Sequence, residues 1–451
     1  MWHTYSPPEL GAAEIAKADW AAYLAAEQAA VDGVRTHVTR ELPDEDRVDI
    51  NRYFEDGPLN PERFARDWNR SYVLEPAGEP VGAAVLLHGL TDGPYSMRHF
   101  ALRYRDHGFV SVVIRLPGHG TVPGGLAHVD WEDWLSATHL AVREARLRVG
   151  PTKPLHLVGY SNGGALAMKY ALAALDDEAL PRPDRIVLIS PMIGVTAFAR
   201  FAGVLGWPAI FPSFAKTAWL DITPEFNPFK YNSFPVNAAR QSSLVARGLQ
   251  DEIARRARAG RLSQLPPILT FQSVVDSTVS TRATVDALYS VLPANGSELV
   301  LFDLNRFADF GPLLRSERET LLKRLLPAPP RSYATSIIAN ANSTSREVVE
   351  RRIDAGATTE RMRPLALAYP LEVFSLSHIA LPFPVDDGLY GLKPDPHDDF
   401  GLNLGALATR GERGTLVVSL DVLNRISSNP FFPYVLERLD EVIAASLRQG
   451  R

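Results

Sequence analysis

Cysteine is absent from all 451 residues of the chain. That excludes disulfides, thiolate metal ligands and a cysteine nucleophile. It does not fix the compartment, since a chain without disulfides suits cytosol and periplasm alike. Long hydrophobic runs are missing too. No stretch approaches 18 unbroken apolar residues, so no transmembrane helix is expected. The start, Met1-Trp2-His3-Thr4-Tyr5, does not read as a signal peptide. The expected location is the cytoplasm, with periplasm or secretion open to a chain whose signal has been removed. There is no large excess of either charge: a net charge of −5 gives no reason to expect nucleic acid or an acidic membrane as a partner. A hydrophobic content of 46% with 22% charged residues is ordinary for a globular protein. This length implies two domains or one elaborated domain.

The most informative segment is Gly159-Tyr160-Ser161-Asn162-Gly163. A short apolar strand, Leu155–Val158, precedes it, and a run rich in helix formers, Gly164–Ala173, follows. The bare G-x-S-x-G pattern turns up by chance in roughly one chain in ten of this length. Strand, G-x-S-x-G and helix together are far more specific. A sharp strand-to-helix turn forces the central residue into a strained backbone and lifts its hydroxyl clear of the sheet. The flanking glycines are needed because neighbouring backbone passes where a Cβ would collide. Ser161 is therefore the candidate nucleophile, with a helix N-terminus directly beneath it.

A nucleophilic serine needs a base, an acid and an oxyanion hole. Upstream, the apolar run Gly82–Leu87 ends in His88-Gly89-Leu90. Gly89 lets the loop turn so that the backbone amide of Leu90 faces the site, and the amide of Asn162 is the second candidate donor. Two such donors stabilise a tetrahedral oxyanion by about 3–4 kcal/mol each in known cases. The plainer reading of His88-Gly89 is a turn that ends a strand.

Strands are expected near Ala83–Leu87, Val110–Arg115, Leu155–Val158, Arg185–Ser190, Pro267–Ser273 and Glu298–Leu304, with helices between them such as Trp131–Val149. That alternation indicates an α/β fold with a mostly parallel central sheet covered by helices on both faces. Ligands in such sheets bind at the carboxyl ends of the strands, where His88, Ser161 and Asp276 are expected.

The His88-Gly89 loop, Pro117-Gly118-His119-Gly120 and the Ser161 elbow together resemble the α/β-hydrolase superfamily. Within it, they resemble the monoacylglycerol lipase and serine aminopeptidase-like branch. The resemblance covers about residues 80–195 and 265–304. The family often carries an Asp a few residues before its Gly-His-Gly, where this chain has Arg115-Leu116-Pro117. The resemblance implies the order Ser, Asp, His and no metal or organic cofactor. It points to Asp276, in the loop after Pro267–Ser273 and before a helix Thr281–Leu292, as the acid. A helix-capping role for Asp276 and a weaker alternative acid, Asp303, stand beside that reading.

The histidine departs from the family pattern. The base usually follows the strand after the acid, but Phe302-Asp303-Leu304-Asn305-Arg306-Phe307 contains none. Two histidines follow Asp276. His378, after an expected strand Leu371–Ser377, is favoured over His397 in a polar turn. In this scheme His378 takes the proton of Ser161 and Asp276 holds the imidazole tautomer. His119 and the helix-face pair Trp131 and Trp134 read as structural.

The expected organisation is an N-terminal extension (1–75), a first core part (76–193), a cap or lid insertion (194–262), the acid-bearing core (263–305), a second insertion (306–368) and a last core part with the histidine and a C-terminal helix (369–451). Phe198, Phe201, Trp207, Phe211, Phe214 and Trp219 of the cap are candidate walls of an acyl pocket, with plain core packing an equal reading. In the second insertion, Arg315–Leu326 and Ser345–Ala355 read as charged helices. The expected function is a serine hydrolase of carboxylic esters, its partner a small-molecule ester with a hydrophobic acyl or aryl group. An aminopeptidase, amidase or thioesterase with the same triad is one alternative, and Glu225 would hold an aminopeptidase substrate's ammonium. A catalytically silent binding module is another. Oligomeric state and natural substrate are not legible.

Overall fold

The computed structural model describes residues 2–194, 218–276, 278–307, 322, 324–370, 375–405 and 428–449. Its frame is a ten-stranded sheet. The strands are β1 (Tyr72–Leu74), β2 (Gly82–Leu87), β3 (Phe109–Ile114), β4 (Leu155–Tyr160), β5 (Arg185–Ile189), β8 (Ile268–Ser273), β9 (Glu298–Phe302), β10 (Ala334–Asn340), β11 (Glu347–Ile353) and β12 (Arg361–Ala368). A separate pair, β6 (Trp219–Asp221) and β7 (Phe234–Pro235), lies between β5 and β8 in the chain. The order across the main sheet is β1-β3-β2-β4-β5-β8-β9-β10-β11-β12. From β3 to β10 every neighbour is parallel. β1, β11 and β12 pair antiparallel.

Two apolar faces explain why the central strands are nearly continuous hydrophobic runs. In β2, Ala83, Val85 and Leu87 enter one core cluster, while Ala84 and Leu86 enter the other. The first cluster is closed by α4 (Trp131–Val149), α5 (Asn162–Ala173) and α6 (Val236–Arg258). The second is closed by α3 (Arg98–Asp106) and the C-terminal α7 (Phe432–Gln449). α6 falls within the span expected to be a cap, yet Val245, Leu249 and Ile253 pack into the main core.

The N-terminal segment contributes α1 (Ala12–Ile15) and α2 (Trp20–Val34). It is fastened to the core by charge. Arg115, 1% exposed, meets Glu9 at 2.7 Å and Glu27 at 3.2 Å and also donates to the carbonyl of His119. Glu27 in turn accepts from Ser71 just before β1. The arginine that departs from the family pattern is thus matched by two carboxylates from the extension.

Two expectations need correction. Ser345–Ala355 is not a helix: Glu347–Ile353 is a strand between β10 and β12. Its charges belong to a sheet margin, where Glu350 pairs with Arg363 across to β12 and Arg352 reaches Glu298. Ser375, Leu376 and Ser377, placed in a strand by their sequence, are not strand, and residues 371–374 lie outside the described residues. Most of Arg315–Leu326 also lies outside them. The helix expected over 281–292 is present as three short consecutive turns, Thr281–Ala283, Thr284–Leu288 and Tyr289–Val291.

Candidate active site

The turn from β4 into α5 has the geometry its residues suggest. Ser161 sits at φ 53°, ψ −115°, a conformation that costs energy for any residue with a Cβ. It is held there by hydrogen bonds from its own amide to Ile189 and from the amide of Met192 to its carbonyl. A Cβ on Gly163 would stand 2.1 Å from the carbonyl oxygen of Leu87, so only glycine lets α5 start so close to β2.

Ser161, Asp276 and His378 come together although β8, β9 and the β10–β12 extension separate them in the chain. His378 Nε2 lies 3.0 Å from Ser161 Oγ, and Nδ1 lies 2.9 Å from Asp276 Oδ2. A carboxylate only accepts, so Nδ1 carries the proton and Nε2 is free to accept from the serine hydroxyl. The other oxygen, Asp276 Oδ1, accepts the amides of Thr278 at 2.8 Å and Val279 at 3.0 Å. Burial alone would push this carboxyl up, but His378 and the two amides outweigh it and hold Asp276 below its ordinary value. The cap of the following helix is Ser280, which accepts from the amide of Ala283. Asp303 instead bonds Arg306 and the amide of Leu304. His397 is exposed in its polar turn.

The His88-Gly89 loop runs beside the elbow. A Cβ on Gly89 would lie 3.2 Å from Ser161 Cβ. His88 Nδ1–H donates to the carbonyl of Gly89 at 2.9 Å, while Nε2 accepts the amide of Leu116 at 3.0 Å. Because Gly89 C=O and Leu90 N–H belong to one peptide plane, this bond sets the direction of the Leu90 amide. Among the described residues neither the Leu90 nor the Asn162 amide is spent on an internal hydrogen bond. Burial brings His88 down to about 4, so it stays neutral. His119 packs edge-on against His88 and Trp134, and the Trp134 indole donates to Pro117.

Three groups near the relay were not legible in the sequence. Tyr160 donates to the carbonyl of His378. Asp92, 6% exposed, faces Lys230 at 3.5 Å. Burial raises its carboxyl above the ordinary value, against the opposing pull of Lys230 and His378. Asp92 and Lys230 stand 138 residues apart, and only folding brings them together. Of the expected pocket walls, Phe198, Phe201, Trp207, Phe211 and Phe214 lie outside the described residues. Trp219 packs edge-on against His3. Glu225 is fully buried and both its oxygens accept main-chain amides, of Asn232 and Ser233, so it is not free to hold an ammonium group. Among the described residues no cluster of His, Asp and Glu is placed to hold a metal, and no helix is long and apolar enough to cross a membrane.

Sheet order, helices on both faces and a strained serine between strand and helix define an α/β-hydrolase. The chain belongs to the serine aminopeptidase family S33, whose model matches residues 78–303, half of the chain. It is 26% identical over 223 residues to the thermostable monoacylglycerol lipase of Bacillus sp. (strain H-257), covering 49% of this chain and 80% of that protein. It is 26% identical over 120 residues to phospholipase YtpA of Bacillus subtilis (strain 168), covering 26% of this chain and 44% of that one. Among solved structures, one from a study of the metagenome-derived lipolytic enzymes LipS and LipT shares 21% identity, covering 57% of this chain and 95% of that chain, with a TM-score of 0.40. Ser161 and Asp276 lie inside the family match and His378 lies beyond it.

Proposed function

We propose that the protein hydrolyses carboxylic esters through an acyl-enzyme on Ser161. The observation that carries this reading is the continuous hydrogen-bonded relay from Asp276 through His378 to Ser161. His378 Nε2 takes the serine proton as Oγ attacks the acyl carbon, then delivers it to the departing alcohol oxygen. Asp276 keeps Nδ1 protonated and offsets the positive charge that forms on the ring. The amides of Leu90 and Asn162 receive the oxyanion. Water, activated by the same histidine, releases the acid in the second half-reaction.

Esters are favoured over peptides on two grounds. The relatives that align with this chain are named a lipase and a phospholipase. The one carboxylate suggested as an ammonium anchor, Glu225, is consumed by main-chain amides. The test is hydrolysis of p-nitrophenyl esters from acetate to palmitate, combined with fluorophosphonate labelling and mass spectrometry. Label on Ser161 and loss of about 10⁴-fold or more in kcat/KM for Ser161→Ala support the reading. Label elsewhere, or an inert wild type, overturns it and moves weight to amide or thioester substrates and then to a binding module.

A further inference from the structure

Arg52 of the N-terminal segment is a buried cation that no carboxylate pairs with. It is 2% exposed, and among the described residues it forms no ion pair. Its guanidinium makes one hydrogen bond there, from Nη1 to the carbonyl of Asn227 at 3.1 Å. Nε is buried and has no acceptor, and Nη2 donates to none of the described residues. The Nε–Nη2 edge is therefore unspent. That edge is one of those with which an arginine grips a carboxylate or phosphate through two parallel N–H bonds. The rings of Tyr53 and Tyr231 stand 5.5 Å and 6.0 Å from Arg52 Cζ, at the outer limit of a cation–π contact. Such contacts are weak compensation for a charge taken out of water. Glu225 attracts Arg52 through space, but its oxygens are bonded to the amides of Asn232 and Ser233.

This cation lines a cleft with a cavity volume of about 50 Å³. Val34, Thr39, Arg52 and Tyr53 of the N-terminal segment form part of its wall, and Gly120 and Thr121 of the core form another part. The Tyr53 hydroxyl donates to the carbonyl of Thr121 at 3.1 Å and fixes the two sides together. One water needs about 10–15 Å³, so the cleft has room for roughly three to five waters, or for one phosphate or carboxylate group. Both carboxylates in its walls are already engaged. Glu62 meets Arg35 at 2.7 Å, and Asp67 meets Arg70 at 3.3 Å and accepts from the amide and side chain of Asn69. Neither neutralises Arg52. Ser161, Asp276 and His378 do not line the cleft. A buried donor edge without an acceptor is costly, and beside a cleft of this size a ligand can supply the missing partner.

We propose that this cleft is a second binding site, which takes the oxyanion group of a small molecule, a carboxylate or a phosphate, on the free edge of Arg52. The site is separate from the ester chemistry and does not depend on it.

Isothermal titration calorimetry of the full chain with inorganic phosphate and with acetate tests it, at an ionic strength held constant with chloride. Saturable binding of at least one of the two, at one site per chain, is expected. Saturation by phosphate alone assigns a phosphate-bearing ligand, and saturation by acetate alone assigns a carboxylate. Arg52→Met should weaken that binding about tenfold or more, the size of a hydrogen bond to a charged group. Thr39→Glu, which adds a carboxylate to the same cleft and keeps Arg52, should weaken it to a similar degree. Absence of saturable binding by both anions overturns the proposal, as does a folded Arg52→Met protein that binds like wild type. Should Arg52→Met not fold, Thr39→Glu decides, and an unchanged affinity overturns it.

Discussion

The hydroxyl of Tyr160 donates to the main-chain carbonyl of His378 at 3.3 Å, joining the residue before the elbow serine to a histidine 218 positions later. The two rings also pack, with centroids 5.2 Å apart. The proposed base rides on a loop that returns from the far margin of the sheet, after β10, β11 and β12. A base delivered over that distance needs local fastening, and Tyr160 provides it from the rigid end of β4. Tyr160→Phe keeps the ring contact and loses the hydrogen bond. The expected outcome is a loss of a few-fold in kcat with KM nearly unchanged, read in steady-state ester hydrolysis. A KM effect alone would assign Tyr160 to substrate binding instead.

Asp276 tests the acid. Asp276→Asn removes the charge but leaves an acceptor and a donor of the same shape, so His378 loses its enforced tautomer. We expect kcat to fall about 10⁴-fold, with the fold unchanged by circular dichroism. The carboxyl is held below its ordinary value. Its contribution to stability is therefore complete above the unfolded value near 3.8 and is lost only as pH drops through the folded value. A loss of activity that begins well above pH 4 must come from another group.

Three buried histidines make the fold sensitive to acid at higher pH. Burial lowers His88 to about 4 and His156 to about 3, with Arg185 adding to the latter, and it brings His119 well below 6.5 with help from His88. Unfolded histidine titrates near 6.5, so between pH 6.5 and about 4 the unfolded state binds more protons and stability rises with pH. Each such histidine contributes a slope approaching about 1.4 kcal/mol per pH unit across that window. The raised carboxyls of Asp92 and Glu225 act in the opposite sense. Urea unfolding from pH 7 to pH 4.5 is expected to show stability falling steadily. A flat profile would mean either that these histidines are solvated or that the raised carboxyls of Asp92 and Glu225 offset them, and Asp92→Asn with Glu225→Gln separates the two.

Arg115 links the N-terminal segment to the catalytic core. Arg115→Ala leaves Glu27 buried and Glu9 partly buried without a counter-charge and should cost about 3–5 kcal/mol. The same variant should expose residues 1–75 to limited proteolysis before the core. Combining Arg115→Met with Glu27→Leu and Glu9→Leu replaces the cluster by apolar contact and is expected to recover most of the loss. An Arg115→Ala protein as stable as wild type would show that the cluster contributes no net energy.

Much of this molecule is legible where the determinants are local. The strands from β2 to β9 are short apolar runs closed by turns, and each expected strand lies within two residues of the observed one. The elbow reads clearly because strand, glycines and helix are contiguous. Asp276 is recognisable from its place after a strand. His378 emerges only because few histidines follow Asp276, since nothing near it in the chain announces its contact with Ser161. β11 defeats local reading for a different reason. Glu350, Arg351 and Arg352 look like a charged helix face, but Glu350 and Arg352 find partners on other strands, Arg363 and Glu298, and Arg351 pairs with Glu360 in the turn before β12. Asp92 and Lys230 are hidden in the same way.

The central claim is that a histidine carried beyond the family-matched region, His378, serves the Ser161 nucleophile. The direct measurement is p-nitrophenyl butyrate hydrolysis by His378→Ala and His397→Ala beside wild type, with folding checked by thermal unfolding. His378→Ala should lose about 10⁴-fold or more in kcat while His397→Ala, altered only in an exposed turn, stays within about twofold. A folded His378→Ala enzyme that retains wild-type turnover contradicts the account.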